Sequence, residues 1–125
     1  MKFLVVDESA TMRRIVANSL ERIGYSDCVE ACSGSEALAN IATAVDFVIT
    51  AAHLPDMEGT DLVRALRASP LGTATPILVM APRRARGDAA AARDAGANDC
   101  LMKPFTTRTL RAKVASAVAA PALGA

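Results

Sequence analysis

The chain has 125 residues, which is enough for one domain with a buried core and too few for two. Hydrophobic residues make up 52% of it and aromatic residues only 3%, so a core would consist of aliphatic side chains and alanine. No apolar run approaches the roughly 20 residues that span a bilayer, which disfavours membrane insertion. The three cysteines fit no zinc spacing, so reduced thiols in a cytoplasmic protein are the simplest interpretation.

Charge is distributed unevenly along the chain, although the net charge is only +1. Residues 1–82 hold six Lys/Arg against ten Asp/Glu, and residues 83–125 hold eight against three. The last third is therefore basic, which indicates an anionic partner for the C-terminal part. Direct DNA binding is disfavoured, because the sequence has no recognition-helix motif and few aromatic residues for stacking.

Strand and helix patterns alternate from the start of the chain. The apolar run at 2–6 predicts a buried strand. Ser9 can cap a following helix, whose inward stripe includes Ile15 and which ends at Gly24. A second strand is predicted at 27–31.

The middle of the chain continues the alternation. A capping box at 33–36 opens a second helix. A third strand is predicted at 47–50, a third helix at 60–68, and a fourth strand at 77–80.

The last elements follow a basic turn. A helix at 88–95 is predicted to be capped by Asp88, and a fifth strand follows at 100–102. The final helix, at 106–119, is predicted to bury Val118 with its other apolar residues.

Five β–α units without a long linker predict an α/β fold, with a doubly wound open sheet of five parallel strands covered on both faces. We expect residues 1–120 to form this one domain and residues 121–125 to be a flexible tail. In this architecture the ligand crevice lies at the carboxyl ends of the strands. The residues expected at that edge are Asp7, Glu8, Ala51, Ala81 and Lys103.

Three segments carry a family likeness: KFLVVD at 2–7, TMRRIV at 11–16 and KPF at 103–105. Together they resemble the CheY-like receiver domain of two-component signalling, over essentially the full length of the chain. The resemblance implies the flavodoxin-like strand order 2-1-3-4-5. It also implies a cytoplasmic signalling protein rather than an enzyme.

The resemblance implies roles for four residues at the strand ends. Asp7 and Glu8 match the acidic pair that holds magnesium in the family, in which Glu is a tolerated variant at the second place. Lys103 matches the lysine that pairs with phosphoryl oxygens, and Pro104 the residue whose preceding peptide bond is usually cis. Without phosphorylation chemistry, we expect the two acids to remain as scaffold, each paired with Lys103.

Three positions depart from the family pattern. Ala51 stands where the family has its phosphoacceptor aspartate, Ala81 where a hydroxyl reads the phosphoryl group, and Cys100 where an aromatic side chain often reports the active state. A methyl group can neither attack phosphorus nor bind a metal ion, so an aspartyl phosphate is not expected and magnesium binding is disfavoured. Asp56 is a poor substitute because it lies beyond Pro55 in a turn. The alanine at position 51 has two explanations. One is a natural loss of all three groups, and the other is a laboratory substitution of the acceptor in an ordinary phospho-receiver.

The stretch after the fourth strand, the arginine turn (residues 83–86), holds Arg83, Arg84 and Arg86 and is followed by Asp88. Guanidinium groups bind phosphates bidentately, stack on bases and pair with the O6/N7 edge of guanine, and Asp88 can accept the N–H donors of guanine's other edge. The stretch resembles the arginine-rich segment of CheY-like effectors that bind cyclic di-GMP and engage the flagellar motor. A solvated basic loop and a contact to protein or nucleic acid are the alternatives.

These observations predict a phosphorylation-incompetent receiver that binds cyclic di-GMP, a guanine dinucleotide, through the arginine turn. The surface of the fourth helix, fifth strand and fifth helix would then bind a flagellar motor switch protein or a chemotaxis signalling protein. A constitutive protein-binding adaptor without a nucleotide ligand is the alternative.

The single histidine and two of the cysteines have simpler interpretations. His53 has no second His or Cys nearby in the sequence, so it is interpreted as a turn residue rather than a metal ligand. Cys28 and Cys32 have even spacing and are predicted to point from the second strand into the core.

Overall fold

The computed structural model of the chain describes residues 1–41, 45–70, 74–82 and 87–119. Within these residues, five strands and five helices alternate along the chain. The strands are β1 (Phe3–Val6), β2 (Cys28–Ala31), β3 (Phe47–Ala51), β4 (Ile77–Pro82) and β5 (Asp99–Lys103). The helices are α1 (Ala10–Arg22), α2 (Gly34–Asn40), α3 (Gly59–Ala68), α4 (Asp88–Ala95) and α5 (Thr107–Ala119).

The five strands form one parallel sheet in the order β2-β1-β3-β4-β5, which confirms the predicted doubly wound fold and its strand order. Successive side chains of a strand point to opposite faces, so each strand contributes to two cores. Phe3 and Val5 pack with α1 and α5, whereas Leu4 and Val6 pack with α2, α3 and α4. None of these four side chains has exposed surface, as expected of parallel strands covered on both faces.

The first helix begins and ends where its sequence predicts. Ser9 Oγ accepts a hydrogen bond from Met12 N at 3.2 Å, which satisfies one free amide of the first turn. Beyond the helix, Gly24 has a φ of 102°, a left-handed conformation that glycine adopts at little cost.

Two residues predicted to point inward from helices are exposed instead. Ile15 is 46% exposed and Val118 is 45% exposed, whereas their neighbours Val16 and Ala117 are buried. Each residue turns an α-helix by about 100°, so two adjacent apolar residues cannot both lie at the centre of the buried face. The inward prediction is therefore wrong for Ile15 and Val118.

The elements around the arginine turn differ slightly from prediction. β4 continues two residues further, to Pro82, and α4 begins at Asp88. The prediction that Asp88 caps α4 is wrong by one residue, because Gly87 occupies the cap position with a left-handed φ of 95°. As the first residue of the helix, Asp88 still places a negative charge at the positive end of the helix dipole.

The start of α2 shows half of the predicted capping box. Ser33 Oγ accepts a hydrogen bond from Glu36 N at 3.2 Å, while Glu36 Oε2 accepts one from Cys32 Sγ at 3.1 Å. Cys32 is exposed and lies beyond β2, so the prediction that it points into the core is wrong. Cys28 is half-buried against the α1–α5 core, and burial raises its pKa to about 11.

The predicted tail at 121–125 and the arginine turn lie outside the described residues. Among the helices that the structure describes, none has the length and apolar character needed to cross a bilayer.

Candidate functional site

A cleft of about 230 Å³ opens at the carboxyl edge of the sheet. Asp7, Glu8, Ala51 and Lys103 line it, because parallel strands bring their carboxyl ends to one edge. Four of the five residues expected at this edge are thus brought together. The Lys103–Pro104 peptide bond beside the cleft is cis, as the resemblance implied.

Asp7 is the buried acid of the cleft, with 6% of its surface exposed. Its Oδ1 accepts a hydrogen bond from Ser9 N at 2.8 Å, and its carbonyl oxygen accepts one from Arg13 Nη1 at 2.7 Å. Its Oδ2 lies 3.8 Å from Lys103 Nζ and has no hydrogen-bond partner among the described residues. Burying a polar atom without a hydrogen-bond partner costs free energy. A donor or a cation bound in the cleft would therefore be stabilised at Oδ2 of Asp7.

Glu8 is held differently from its neighbour. It is exposed, and its carbonyl oxygen accepts a hydrogen bond from Arg13 Nη1 at 3.3 Å. Lys103 forms an ion pair with Asp7. Within the described part of the chain, the Glu8 carboxylate forms no ion pair. The expected pairing with Lys103 is confirmed for Asp7 and is wrong for Glu8, because an exposed carboxylate is already stabilised by water.

Ala51 lines the cleft but has no side-chain oxygen to offer there. Ala51 is the last residue of β3 and is 4% exposed. Gly59, the first residue of α3, packs directly against it. A Cβ on Gly59 would clash with the carbonyl oxygen of Ala51 and would lie 3.0 Å from Ala52 Cα. The backbone around position 51 is therefore tightly packed, although its side chain is only a methyl group.

The other two departures from the family pattern lie in the core rather than in the cleft. Ala81 has no exposed surface and Cys100 is 4% exposed, and both pack on the sheet face covered by α2, α3 and α4. Burial raises the pKa of the Cys100 thiol. Neither residue offers a polar group to a ligand in the cleft.

Asp56 uses both of its carboxylate oxygens to hold the turn between β3 and α3 (residues 52–58) against α2. Its Oδ1 accepts a hydrogen bond from Gly34 N and its Oδ2 accepts one from Ser35 N, each at 2.9 Å. These bonds lower the pKa of Asp56, and the position at a helix N-terminus suits its negative charge. The residue lies in an exposed turn as predicted, and its hydrogen bonds give it a structural role there.

A cluster around His53 was missed by sequence reasoning. Its Nδ1 lies 2.5 Å from Glu58 Oε2, and its Nε2 lies 3.3 Å from Asp88 Oδ2. The hydrogen bond to Glu58 raises the pKa of His53, and the charges of Glu58 and Asp88 act in the same direction. The available signal was position: His53 follows β3 and Asp88 follows β4, so both had to lie at the same edge of the sheet.

The interpretation of His53 as a turn residue fits its place after β3. In the part of the chain that the structure describes, no group of three or more His, Cys, Asp or Glu side chains is placed to hold a metal ion.

Asp88 belongs to the predicted nucleotide-binding set, whose other members, Arg83, Arg84 and Arg86, lie outside the described residues. The Asp88 side chain is 24% exposed. Its Oδ2 is at ion-pair distance from His53 but has no hydrogen-bond partner among the described residues. This carboxylate is therefore available to a better-placed donor.

Ion pairs join α4, β5 and α5 on the side of the molecule proposed for protein binding. Arg93 Nη2 donates to Asp99 Oδ1 at 2.9 Å, and Lys113 Nζ donates to Asp99 Oδ2 at 2.7 Å. Burial opposes the ionised form of Asp99, but the bonds from Lys113 and Arg93 prevail and lower its pKa. One acid thus ties two helices to the edge strand between them.

Comparison with known proteins agrees with this geometry. Residues 3–115 match the family described as the response regulator receiver domain. The chain is 40% identical over 116 residues to chemotaxis protein CheY1 of Helicobacter pylori strain J99, with 91% of this chain and 94% of the relative covered. A response regulator structure from Chloroflexus aurantiacus J-10-fl matches with a TM-score of 0.90 and 32% identity, covering 95% of this chain and 98% of the other.

A third match shares the fold and has a metal in its cleft. The receiver domain of sensor histidine kinase PA1611 from Pseudomonas aeruginosa PAO1 has a TM-score of 0.83 at 24% identity, covering 94% of this chain and 98% of the other. That structure has a magnesium ion coordinated in its active site cleft.

Because the family match runs from β1 into α5, this chain belongs to the response regulator receiver domain family.

Proposed function

We propose that this receiver-domain protein signals in chemotaxis or flagellar motility without forming an aspartyl phosphate. Ala51 carries this proposal, because it places a methyl group where phosphoryl transfer would need a carboxylate nucleophile. The nearby acids do not replace it. Asp7 faces Lys103, and Asp56 is bound to the start of α2.

The same substitution weakens the cleft as a magnesium site. Magnesium prefers a near-octahedral set of oxygen ligands. Asp7 and Glu8 offer two carboxylates, but position 51 offers no side-chain oxygen, and Lys103 already faces Asp7 Oδ2. The donor set of this chain therefore fits magnesium poorly, and we propose weak magnesium binding.

The ligand that we propose in place of a phosphoryl group is cyclic di-GMP. Arg83, Arg84 and Arg86 offer guanidinium groups to its phosphates and guanine bases, and Asp88 can accept the N–H donors of a guanine edge. Oδ2 of Asp88 supports this role, because it has no hydrogen-bond partner among the described residues and a ligand donor would satisfy it.

The energetics are compatible with specific binding. Ordering a turn costs about 1–2 kcal/mol of backbone entropy for each residue. Each charge-assisted hydrogen bond returns about 1.5–3 kcal/mol. Several such bonds to two phosphates and two bases exceed the ordering cost, so micromolar or tighter affinity is expected.

The partner that we propose is a flagellar motor switch protein or a chemotaxis signalling protein. Support comes from the likeness to a chemotaxis protein and from the α4–β5–α5 surface, which the pairs of Asp99 with Arg93 and Lys113 hold together. Nucleotide bound at the turn that precedes α4 would act on this surface through the start of that helix.

Calorimetry with cyclic di-GMP tests the ligand. We expect saturable binding to the unmodified chain, and a loss of affinity of about tenfold or more in Arg83→Ala and in Arg86→Ala, because each removes charge-assisted hydrogen bonds. Arg108→Ala is the control, since it removes an exposed arginine of α5 outside the turn. An absence of binding heat with the unmodified chain would reject cyclic di-GMP as the ligand.

A constitutive adaptor is the second candidate function. The observation that favours it is that the protein's own ion pairs, from Asp99 to Arg93 and to Lys113, tie the α4–β5–α5 surface together. A pull-down of the motor or chemotaxis partner that is unaffected by added nucleotide would support the adaptor. A partner captured only with cyclic di-GMP would support the ligand switch.

A further inference from the structure

His53 is the only histidine of the chain, and its two ring nitrogens face carboxylates from two different elements. Nδ1 lies 2.5 Å from Oε2 of Glu58, the residue that directly precedes α3. Nε2 lies 3.3 Å from Oδ2 of Asp88, the first residue of α4. A single imidazole therefore bridges the turn at residues 52–58 and the start of the helix that follows the arginine turn.

The two contacts depend differently on protonation. A neutral imidazole has one N–H, and the short contact to Glu58 places that hydrogen on Nδ1. Nε2 of the neutral ring then carries no hydrogen and can only accept, and it faces Oδ2 of Asp88, which also only accepts. This explains why Asp88 Oδ2, although buried, has no hydrogen-bond partner among the described residues. Protonation of Nε2 supplies both the missing donor and a positive charge.

We propose that protonation of His53 closes a clasp that fixes Asp88, and with it the start of α4, against the turn at residues 52–58. Deprotonation removes the attraction at Nε2 and releases Asp88, while Nδ1 keeps its bond to Glu58. Gly87, directly before Asp88, is the N-cap of α4 and takes a left-handed φ of 95°, so the clasp acts where the helix begins.

The surrounding charges favour the closed form. Among the described residues, the other charged groups that line the same cleft as His53 are Asp7, Glu8 and Lys103. The hydrogen bond and charge of Glu58, with the charge of Asp88, raise the pKa of His53. The clasp is therefore complete below the ordinary histidine pKa and is lost as the pH rises through the raised pKa of the folded protein.

The clasp also deepens the proposed function, and this consequence rests on cyclic di-GMP being the ligand. The N–H edge of guanine needs both oxygens of Asp88, whereas protonated His53 engages Oδ2. Acidification is therefore expected to weaken nucleotide binding by occupying Asp88.

Proton NMR tests the clasp without any ligand, because the chain gives one set of histidine ring signals. We expect the pKa of His53 to fall in Asp88→Asn by more than in Asp94→Asn, a matched change at an exposed residue of the same helix. The amide signals of Asp88 and Ala89 should titrate with the ring in the unmodified chain and stop doing so in His53→Gln. Equal pKa changes in the two Asp→Asn variants, or an amide titration that persists in His53→Gln, would overturn the proposal.

Calorimetry on either side of the measured pKa of His53 tests the consequence for the ligand. Cyclic di-GMP should bind more weakly on the acid side in the unmodified chain, with no such change in His53→Gln. A chain that binds no nucleotide at either pH contradicts the proposed function, and NMR still decides the clasp. An affinity that is independent of pH in the unmodified chain contradicts the competition for Asp88.

Discussion

Ala51→Asp is expected to accept a phosphoryl group from acetyl phosphate in the presence of magnesium, whereas the unmodified chain accepts none. The substitution places a carboxylate at the end of β3, in a cleft that already contains Asp7, Glu8 and Lys103. It supplies at once the nucleophile and a further oxygen ligand for the metal. The change is from no reaction to a measurable stoichiometry, which makes this the largest effect that we predict for function.

Intact mass spectrometry measures the reaction as a base-labile gain of one phosphoryl group. Ala51→Asn is the matched control, because it has nearly the same shape as aspartate but no nucleophilic carboxylate. A magnesium titration of the same variants should show tighter binding to Ala51→Asp than to the control. A phosphoryl adduct on the unmodified chain would contradict our proposal of phosphorylation incompetence. An inert Ala51→Asp would show that the cleft has lost more than its acceptor, with Ala81 as the next residue to restore.

Gly59→Ala is expected to lower the free energy of unfolding by about 2–3 kcal/mol, the cost of overpacking a dense site. The added Cβ would meet the carbonyl oxygen of Ala51 and the backbone of Ala52. That backbone cannot move aside easily, because Ala52 N donates to Met80 O at 2.8 Å and Ala52 O accepts from Gly59 N at 2.7 Å. We expect a fall in Tm of roughly 10 °C for a domain of this size.

Gly34→Ala is the matched control for this prediction. Its Cβ would also be too close to a neighbour, but the neighbour is the side chain of Met57. Methionine has three rotatable bonds and adapts to irregular space, and alanine is the better helix former by about 1 kcal/mol. Urea unfolding followed by circular dichroism should therefore show little change for Gly34→Ala. Equal losses in the two variants would contradict the rigidity that we assign to the backbone at positions 51 and 52.

Most of the fold could be predicted from the sequence. The arrangement of apolar residues located the strands to within two residues, because a parallel strand covered on both faces reads as a continuous apolar run and an amphipathic helix as a stripe that repeats about every 3.6 residues. β4 illustrates the error: its pattern predicts an end at Met80, but pairing with β5 carries the strand on to Pro82. The strand order came from the family likeness, since the pattern of apolar residues shows which residues are buried but not which strands are neighbours.

Some features of the candidate site could be predicted from the sequence, and others could not. Residue type alone shows that position 51 has no carboxylate and that the arginine turn is rich in guanidinium groups. The structure was needed to show that Lys103 pairs with Asp7 rather than with Glu8, and that Ala81 lies in the core. It alone joined His53 to Asp88, 35 positions further along the chain. Such contacts depend on how strand ends and helix starts pack in space, and distances of a few ångströms between distant segments leave no trace in a local pattern of residues.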